Sequence, residues 1–92
     1  MERVGAFELV EGPEYAYRQV ANHLEARIRA GELAVGSRLP GERELAAEYA
    51  VALGTVRRAL QEMRDRGHVV TTPSKGTFIV LPPGLPGSTE LR

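Results

Sequence analysis

Residues 42–80 read ERELAAEYAVALGTVRRALQEMRDRGHVVTTPSKGTFIV, and the periodicity of this stretch changes along its length. Leu45, Ala46 and Tyr49 fall at helical spacing, which predicts a short helix over residues 42–50. Ala50, Val51 and Ala52 form the expected turn. Val56, Ala59, Leu60 and Met63 make a second apolar stripe, so another helix is expected over residues 53–66, stopped by Gly67. Beyond Gly67 the pattern becomes extended. Val69, Val70, Thr71 and Thr72 are all β-branched, and Thr77-Phe78-Ile79-Val80 mirrors them across Pro73-Ser74-Lys75-Gly76, a four-residue loop with turn chemistry.

Upstream, Gly12-Pro13-Glu14 suits a helix start, since Pro fits the first helical position and Glu the first turn. Val20, Ala21, Leu24 and Ile28 follow Tyr17 as an apolar stripe and Gly31 is a natural stop, predicting a helix over residues 14–30. Residues 32–41 hold Gly36, Pro40 and Gly41 and read as a connection. Residues 1–12 have no clear period and are set apart as an N-terminal arm. Residues 82–92, with three Pro and two Gly, read as a disordered tail or linker. The expected domain spans residues 13–81. Its class is mostly α with a small β-hairpin: three helices and a two-stranded wing, a winged helix-turn-helix. A three-helix bundle with a decorative hairpin would have the same pattern.

At 92 residues the chain has room for one small domain. Without cysteine it can hold neither a disulfide framework nor a thiolate metal site. No apolar run approaches the roughly 20 residues of a membrane helix, and the start does not resemble a secretory signal. The expectation is a cytoplasmic, nucleoid-associated protein with no membrane partner. Net charge is zero, yet residues 1–36 carry four Arg against six Glu, and residues 53–76 carry five basic groups against two acidic. Counterion release favours basic surfaces, so one basic face matters more than the total. His23 and His68 lie far apart and read as surface or boundary residues, and the Glu residues as members of solvated helix faces. Ser37, Ser74 and Ser88 lie in loops without an obvious base. No catalytic residue, metal or cofactor is expected, and the chain does not read as an enzyme.

Four separated motifs carry a resemblance. They are Tyr17-Arg18-Gln19-Val20-Ala21 with Ile28-Arg29-Ala30-Gly31-Glu32-Leu33; Gly36-Ser37-Arg38-Leu39-Pro40-Gly41-Glu42-Arg43-Glu44-Leu45-Ala46; Thr55-Val56-Arg57-Arg58-Ala59-Leu60; and Lys75-Gly76-Thr77-Phe78. In order and spacing they resemble the DNA-binding domain of the GntR family of bacterial transcription regulators. The resemblance implies sequence-specific binding of double-stranded DNA by a repressor acting through occlusion. The third helix would enter the major groove with the wing, residues 69–80, alongside, and two copies would occupy a two-fold operator as a homodimer. Regulators of this family usually add a larger effector-binding or aminotransferase-like domain. Nothing of that size fits residues 82–92, so the chain reads as a stand-alone winged helix or as one domain of a longer protein. The sequence identifies no effector.

The resemblance assigns Arg43 to the mouth of the groove, Arg57 to the groove itself, and Lys75, Gly76 and Thr77 to the wing contact; Arg38 is grouped with them. Turning the third helix's apolar stripe inward puts Gly54, Arg58 and Gln61 on the opposite face with Arg57 on its flank, so Arg58 and Gln61 join the candidate set. Leu53 and Thr55, at the start of that helix, complete it. A merely solvated face is the plainer reading of the same residues. Departures from the family pattern cluster here. Gly41 replaces a capping Ser, Ala50-Val51-Ala52-Leu53 stands where Gly-Val-Ser-Arg is common, and Ser74 replaces the wing's first Gly. With no hydroxyl at Ala52, Thr55 is expected to cap a shortened helix. The departures keep a second reading open: a protein-interaction module whose DNA-reading face has decayed, with the apolar Leu53 beside Gly54 as the feature favouring it.

Overall fold

The computed structural model describes residues 4–11 and 14–80. Helices α1 (Ala16–Arg29), α2 (Glu42–Tyr49) and α3 (Leu53–Asp65) precede strands β1 (Val69–Thr72) and β2 (Gly76–Ile79). The fold is the expected winged helix-turn-helix. Helix α1 begins two residues later than the sequence suggests, with Tyr15 extended at its N-cap and offering no side-chain bond. Gly12 and Pro13, and the tail from residue 81, lie outside the described residues.

Each helix buries one stripe. Val20, Ala21, Leu24 and Ile28 of α1 share a single core with Val56, Ala59, Leu60 and Met63 of α3, joined by Leu45, Tyr49, Leu39, Val69 and Ile79. Leu24 is fully buried, so Leu24→Ala should cost about 2–5 kcal/mol. Helices α1 and α3 end alike: Glu32 N–H donates to the Arg27 carbonyl at 2.9 Å, and His68 N–H to the Met63 carbonyl at 3.0 Å. Helix α2 closes in the same way, Val51 N–H reaching the Ala46 carbonyl at 3.1 Å. The left-handed residue here is Ala50, at φ 55, where a Cβ costs roughly 1–2 kcal/mol.

The helix starts rely on the backbone. Glu44 Oε1 accepts from Gly41 N–H at 2.9 Å, which is half a capping box, since glycine has no side chain to complete it. At α3 the N-cap is Ala52, whose carbonyl accepts from Thr55 N–H at 3.0 Å and Val56 N–H at 3.2 Å. The expectation that Thr55 caps a shortened helix is therefore wrong. The extended backbone at Ala52 already closes the first turn, so the helix runs from Leu53.

In the hairpin Val69 pairs with Ile79, Val70 with Phe78, Thr71 with Thr77 and Thr72 with Gly76. The loop is thus three residues, 73–75, one fewer than expected. The segment read as a bare connection adds a short third edge to this sheet. Gly36 N–H donates to Ile79 O at 2.7 Å, Ile79 N–H to Ser37 O at 2.9 Å, and Leu39 N–H to Thr77 O at 2.8 Å, with Arg38 bridging Phe78. A run this short between Gly36 and Pro40 has no alternation to betray it.

Two polar readings need correction. His68 is buried, not a boundary residue: it follows Gly67 in the motif that closes α3, a slot whose side chain turns back onto the helix. Its Nε2 lies 3.4 Å from Glu25 Oε1, while its Nδ1 has no hydrogen-bond partner among the described residues. Burial lowers the His68 pKa, and the facing Glu25 only partly counters this. Glu25 is no member of a solvated face. It sits half-buried between Arg29, at 2.9 Å, and Arg66, at 2.7 Å. Burial alone would raise the Glu25 pKa; bonds from these two arginines outweigh it and lower it.

Residues 4–11 lie along α1. Val10 N–H donates to Gln19 Oε1 and Gln19 Nε2 to Val10 O, both at 2.9 Å. Phe7 packs against His23 and Tyr49, ring centres 5.5 and 4.9 Å away. His23 Nε2 lies 2.7 Å from Gly5 O, a group that only accepts, so this nitrogen carries the proton. Its Nδ1 lies 2.8 Å from the Tyr49 hydroxyl. One aromatic anchor and a few polar bonds hold the segment, which is why it shows no period.

Candidate nucleic-acid interface

With its apolar stripe fixed in the core, α3 turns Gly54, Arg57, Arg58 and Gln61 to solvent, while Leu53 and Thr55 are half-buried. The exposed side chains have distinct partners. Arg57 Nε donates to Glu42 Oε1 at 2.9 Å, both groups well exposed. Such a pair is worth about 1 kcal/mol at most and is screened by salt. Arg58 folds back over the Tyr17 ring, 4.7 Å from its centre, and Arg18 approaches the same ring at 5.9 Å. The neighbouring guanidiniums of Arg18 and then Arg58 lower the Tyr17 hydroxyl's pKa. Both amide groups of Gln61 are engaged, Oε1 by Arg64 and Nε2 by Asp65, each at 3.0 Å. Gly54 has no atom within 4 Å of where a Cβ would stand. Packing does not require a glycine there.

The wing presents Lys75 at its tip. Arg38 Nη1 donates to Lys75 O at 3.4 Å, and its stem lies over Gly76. A Cβ at Gly76 would stand 2.7 Å from Arg38 Cδ and push that exposed side chain aside, and the backbone at φ 117 is one that favours glycine. Thr77 Oγ1 lies 3.0 Å from Thr71 Oγ1 across the strands. Arg43, on α2, is exposed and has no hydrogen bond or ion pair among the described residues. Its possible local partners are occupied: Glu44 by Gly41 and Glu48 by Arg27.

A cleft of about 440 Å³ separates the wing from the start of α2, lined by Arg38, Gly41, Glu42, Leu60, Gly76 and Thr77 among others. Arg57 joins its rim through Glu42, and Arg43 follows Glu42 on the same turn. Arg58 stands apart, against α1. Tyr17, Arg18 and Arg64 were missed as neighbours of this face, because stacking and wing contacts leave no periodic trace. Among the described residues no group of three or more His, Cys, Asp or Glu could hold a metal ion. No described helix is long and apolar enough to cross a membrane.

Three helices, a hairpin wing and a cation-bearing second helix of the pair define a winged helix-turn-helix protein. The family described as bacterial regulatory proteins, gntR family, matches residues 16–79, and the chain belongs to it. The HTH-type transcriptional regulator SmoD of Agrobacterium fabrum is 36% identical over 63 residues, covering 68% of this chain and 27% of SmoD. The histidine utilization repressor of Klebsiella aerogenes is 32% identical over 80 residues, covering 87% of this chain and 33% of the repressor. Among solved structures, YtrA from Sulfolobus acidocaldarius, a GntR-family transcription factor, superposes with a TM-score of 0.75 at 28% identity, covering 84% of this chain and 82% of that one. The chain thus spans about a quarter to a third of the length of these two curated relatives.

Proposed function

We propose that this chain binds double-stranded DNA as the reading unit of a transcriptional repressor, with α3 in the major groove and the wing alongside. The observation that carries this reading is the cleft between wing and α2, lined by Arg38: Arg57 bonds Glu42 of its lining, Arg38 bonds the Lys75 carbonyl at the wing tip, and Arg43 is exposed on the next residue of α2. The family and the relatives' names as regulators support it. Arg57 is the principal groove contact. Its bond to Glu42 is weak enough for phosphate or a guanine edge to displace. Arg43, Arg38 and Lys75 hold phosphates. Leu53, Gly54 and Thr55 lie where the helix start meets the duplex, and Gly76 and Thr77 bring the wing backbone close. Arg58 contributes after releasing the Tyr17 ring, and Gln61 contributes with its present partners in place. Residues 13–81 are the DNA-binding domain, with an arm (1–12) whose residues 4–11 pack along α1 and a tail (82–92), and the protein works in the cytoplasm on the nucleoid.

Two copies on a two-fold site complete the reading, since one small module covers only a half-site. The protein-interaction alternative is not favoured: Leu53, the feature pointing to it, is half-buried rather than an exposed apolar contact. Selection from a random duplex pool, followed by a salt titration, tests the reading. Affinity should fall steeply with salt, by about 0.9 log units per log unit of salt for each phosphate held. Sedimentation of the saturated complex should give two chains per duplex. A flat salt response would hand the surface to a protein partner.

A further inference from the structure

Arg64 ties the recognition helix to the wing. It sits in the last turn of α3, half-buried, and its guanidinium spans two elements. Nη2 donates to Gln61 Oε1 at 3.0 Å, and Nη1 donates to Thr71 Oγ1 on β1 at 2.9 Å. Thr71 Oγ1 in turn lies 3.0 Å from Thr77 Oγ1 on β2, its partner in register. The proton count of this chain is informative. An arginine only donates, so one lone pair of Thr71 is occupied by Arg64. Thr71 then either donates to Thr77 or accepts from it. In both cases one O–H of the pair is left uncommitted. The same fork fixes Gln61: its oxygen faces Arg64, its nitrogen faces Asp65, and one amide hydrogen remains. Donors on α3 and on the wing are therefore oriented by a single side chain, and donors suit acceptor-rich phosphate and base edges.

We propose that Arg64 is a positioning residue for DNA reading: it touches no DNA, and it locks Gln61 and the Thr71–Thr77 pair so that α3 and the wing engage as one surface. This rests on the DNA-binding reading above. A planar fork can serve two acceptors at once, and a lysine ammonium in its place cannot reproduce that geometry.

The test compares wild type with Arg64→Met, Arg64→Lys and Thr71→Val on the selected duplex and on random duplex across a salt series. Each variant should lower the ratio of selected to random affinity by about 3- to 20-fold, the usual size of coupling within one hydrogen-bonded network. The salt slope should stay unchanged, because no phosphate contact is lost. Combining Arg64→Met with Thr71→Val should cost little more than either alone. Amide exchange of the free protein should quicken in the wing of Arg64→Met while the α1–α3 core keeps its protection. A slope shallower by about 0.9 would make Arg64 a phosphate contact instead. Full rescue by lysine would reduce its part to charge. Either result overturns the proposal, as does an unchanged ratio in Thr71→Val, an exposed substitution that leaves the core untouched. If wild type binds no duplex at all, the DNA reading itself fails, and this proposal with it.

Discussion

Arg57 of α3 and Glu42 of α2 hold each other across the helix-turn-helix, Nε to Oε1 at 2.9 Å, in full view of solvent. The carboxylate keeps the guanidinium in place and also masks its charge. Arg57→Ala should weaken binding to a selected duplex by about 1–3 kcal/mol, and binding to random duplex by less. Glu42→Gln should act in the other sense on random duplex, strengthening it about two- to fivefold as the masking pair is lost. Fluorescence anisotropy on both duplexes decides. Equal losses in Arg57→Ala would make it a phosphate contact only.

Ala50 occupies a left-handed conformation, φ 55, where the motif closing α2 favours glycine. Ala50→Gly should raise stability by about 1 kcal/mol, the relief of the Cβ outweighing the added chain entropy. A urea titration measures it; a lower midpoint would show that the alanine methyl packs better than the backbone suffers.

Gly54 lies inside the first turn of α3 with open space around it. Gly54→Ala should therefore stabilise the fold by about 0.5–1 kcal/mol through helix propensity. If a duplex approaches that backbone closely, affinity falls in the same variant. A rise in melting temperature paired with a loss of binding marks Gly54 as an interface residue; unchanged binding takes it out of the contact.

Acid should lower the stability of the fold in two stages. The folded pKa of His68 lies below its unfolded value of about 6.5, chiefly through burial. Stability is therefore full above that pH. Below it the unfolded chain takes up a proton the native state refuses, and the loss grows until the folded pKa is reached. Glu25, whose pKa is lowered, adds a second loss below about pH 4.3, where its unfolded form protonates first. Urea midpoints from pH 8 to pH 3 test this. His68→Leu should flatten the upper stage and leave the lower one; a wild-type curve level between pH 7 and pH 5 removes the role given to His68.

The three helices and the hairpin were legible because each announces itself by period: stripes of four apolar residues in α1 and α3, β-branched runs in the strands. The placing of Arg57 on an exposed face of α3 and of Lys75 in the wing loop was legible because both stand in motifs of fixed spacing. The edge at 37–39 was not, since its pairing is decided by where β2 lies and not by its own residues. Nor could spacing show that Arg58 would turn to Tyr17, because Tyr17 belongs to a helix some forty residues earlier and the contact exists only after α1 packs on α3. His68 was misjudged for a related reason. A polar residue directly after a helix-ending glycine looks exposed in the sequence, yet the backbone reversal carries it inward.

The edge at 37–39 also decides how the wing can be engineered. Leu39 is hydrogen-bonded to the wing, and only Pro40 and Gly41 separate it from the first residue of α2. Hairpin and second helix are thus mechanically in series. A cassette of residues 69–80 grafted from a relative would meet an edge strand cut for a different partner, and any mismatch would be felt at the mouth of α2. The unit of exchange is discontinuous: residues 36–42 must travel with the hairpin.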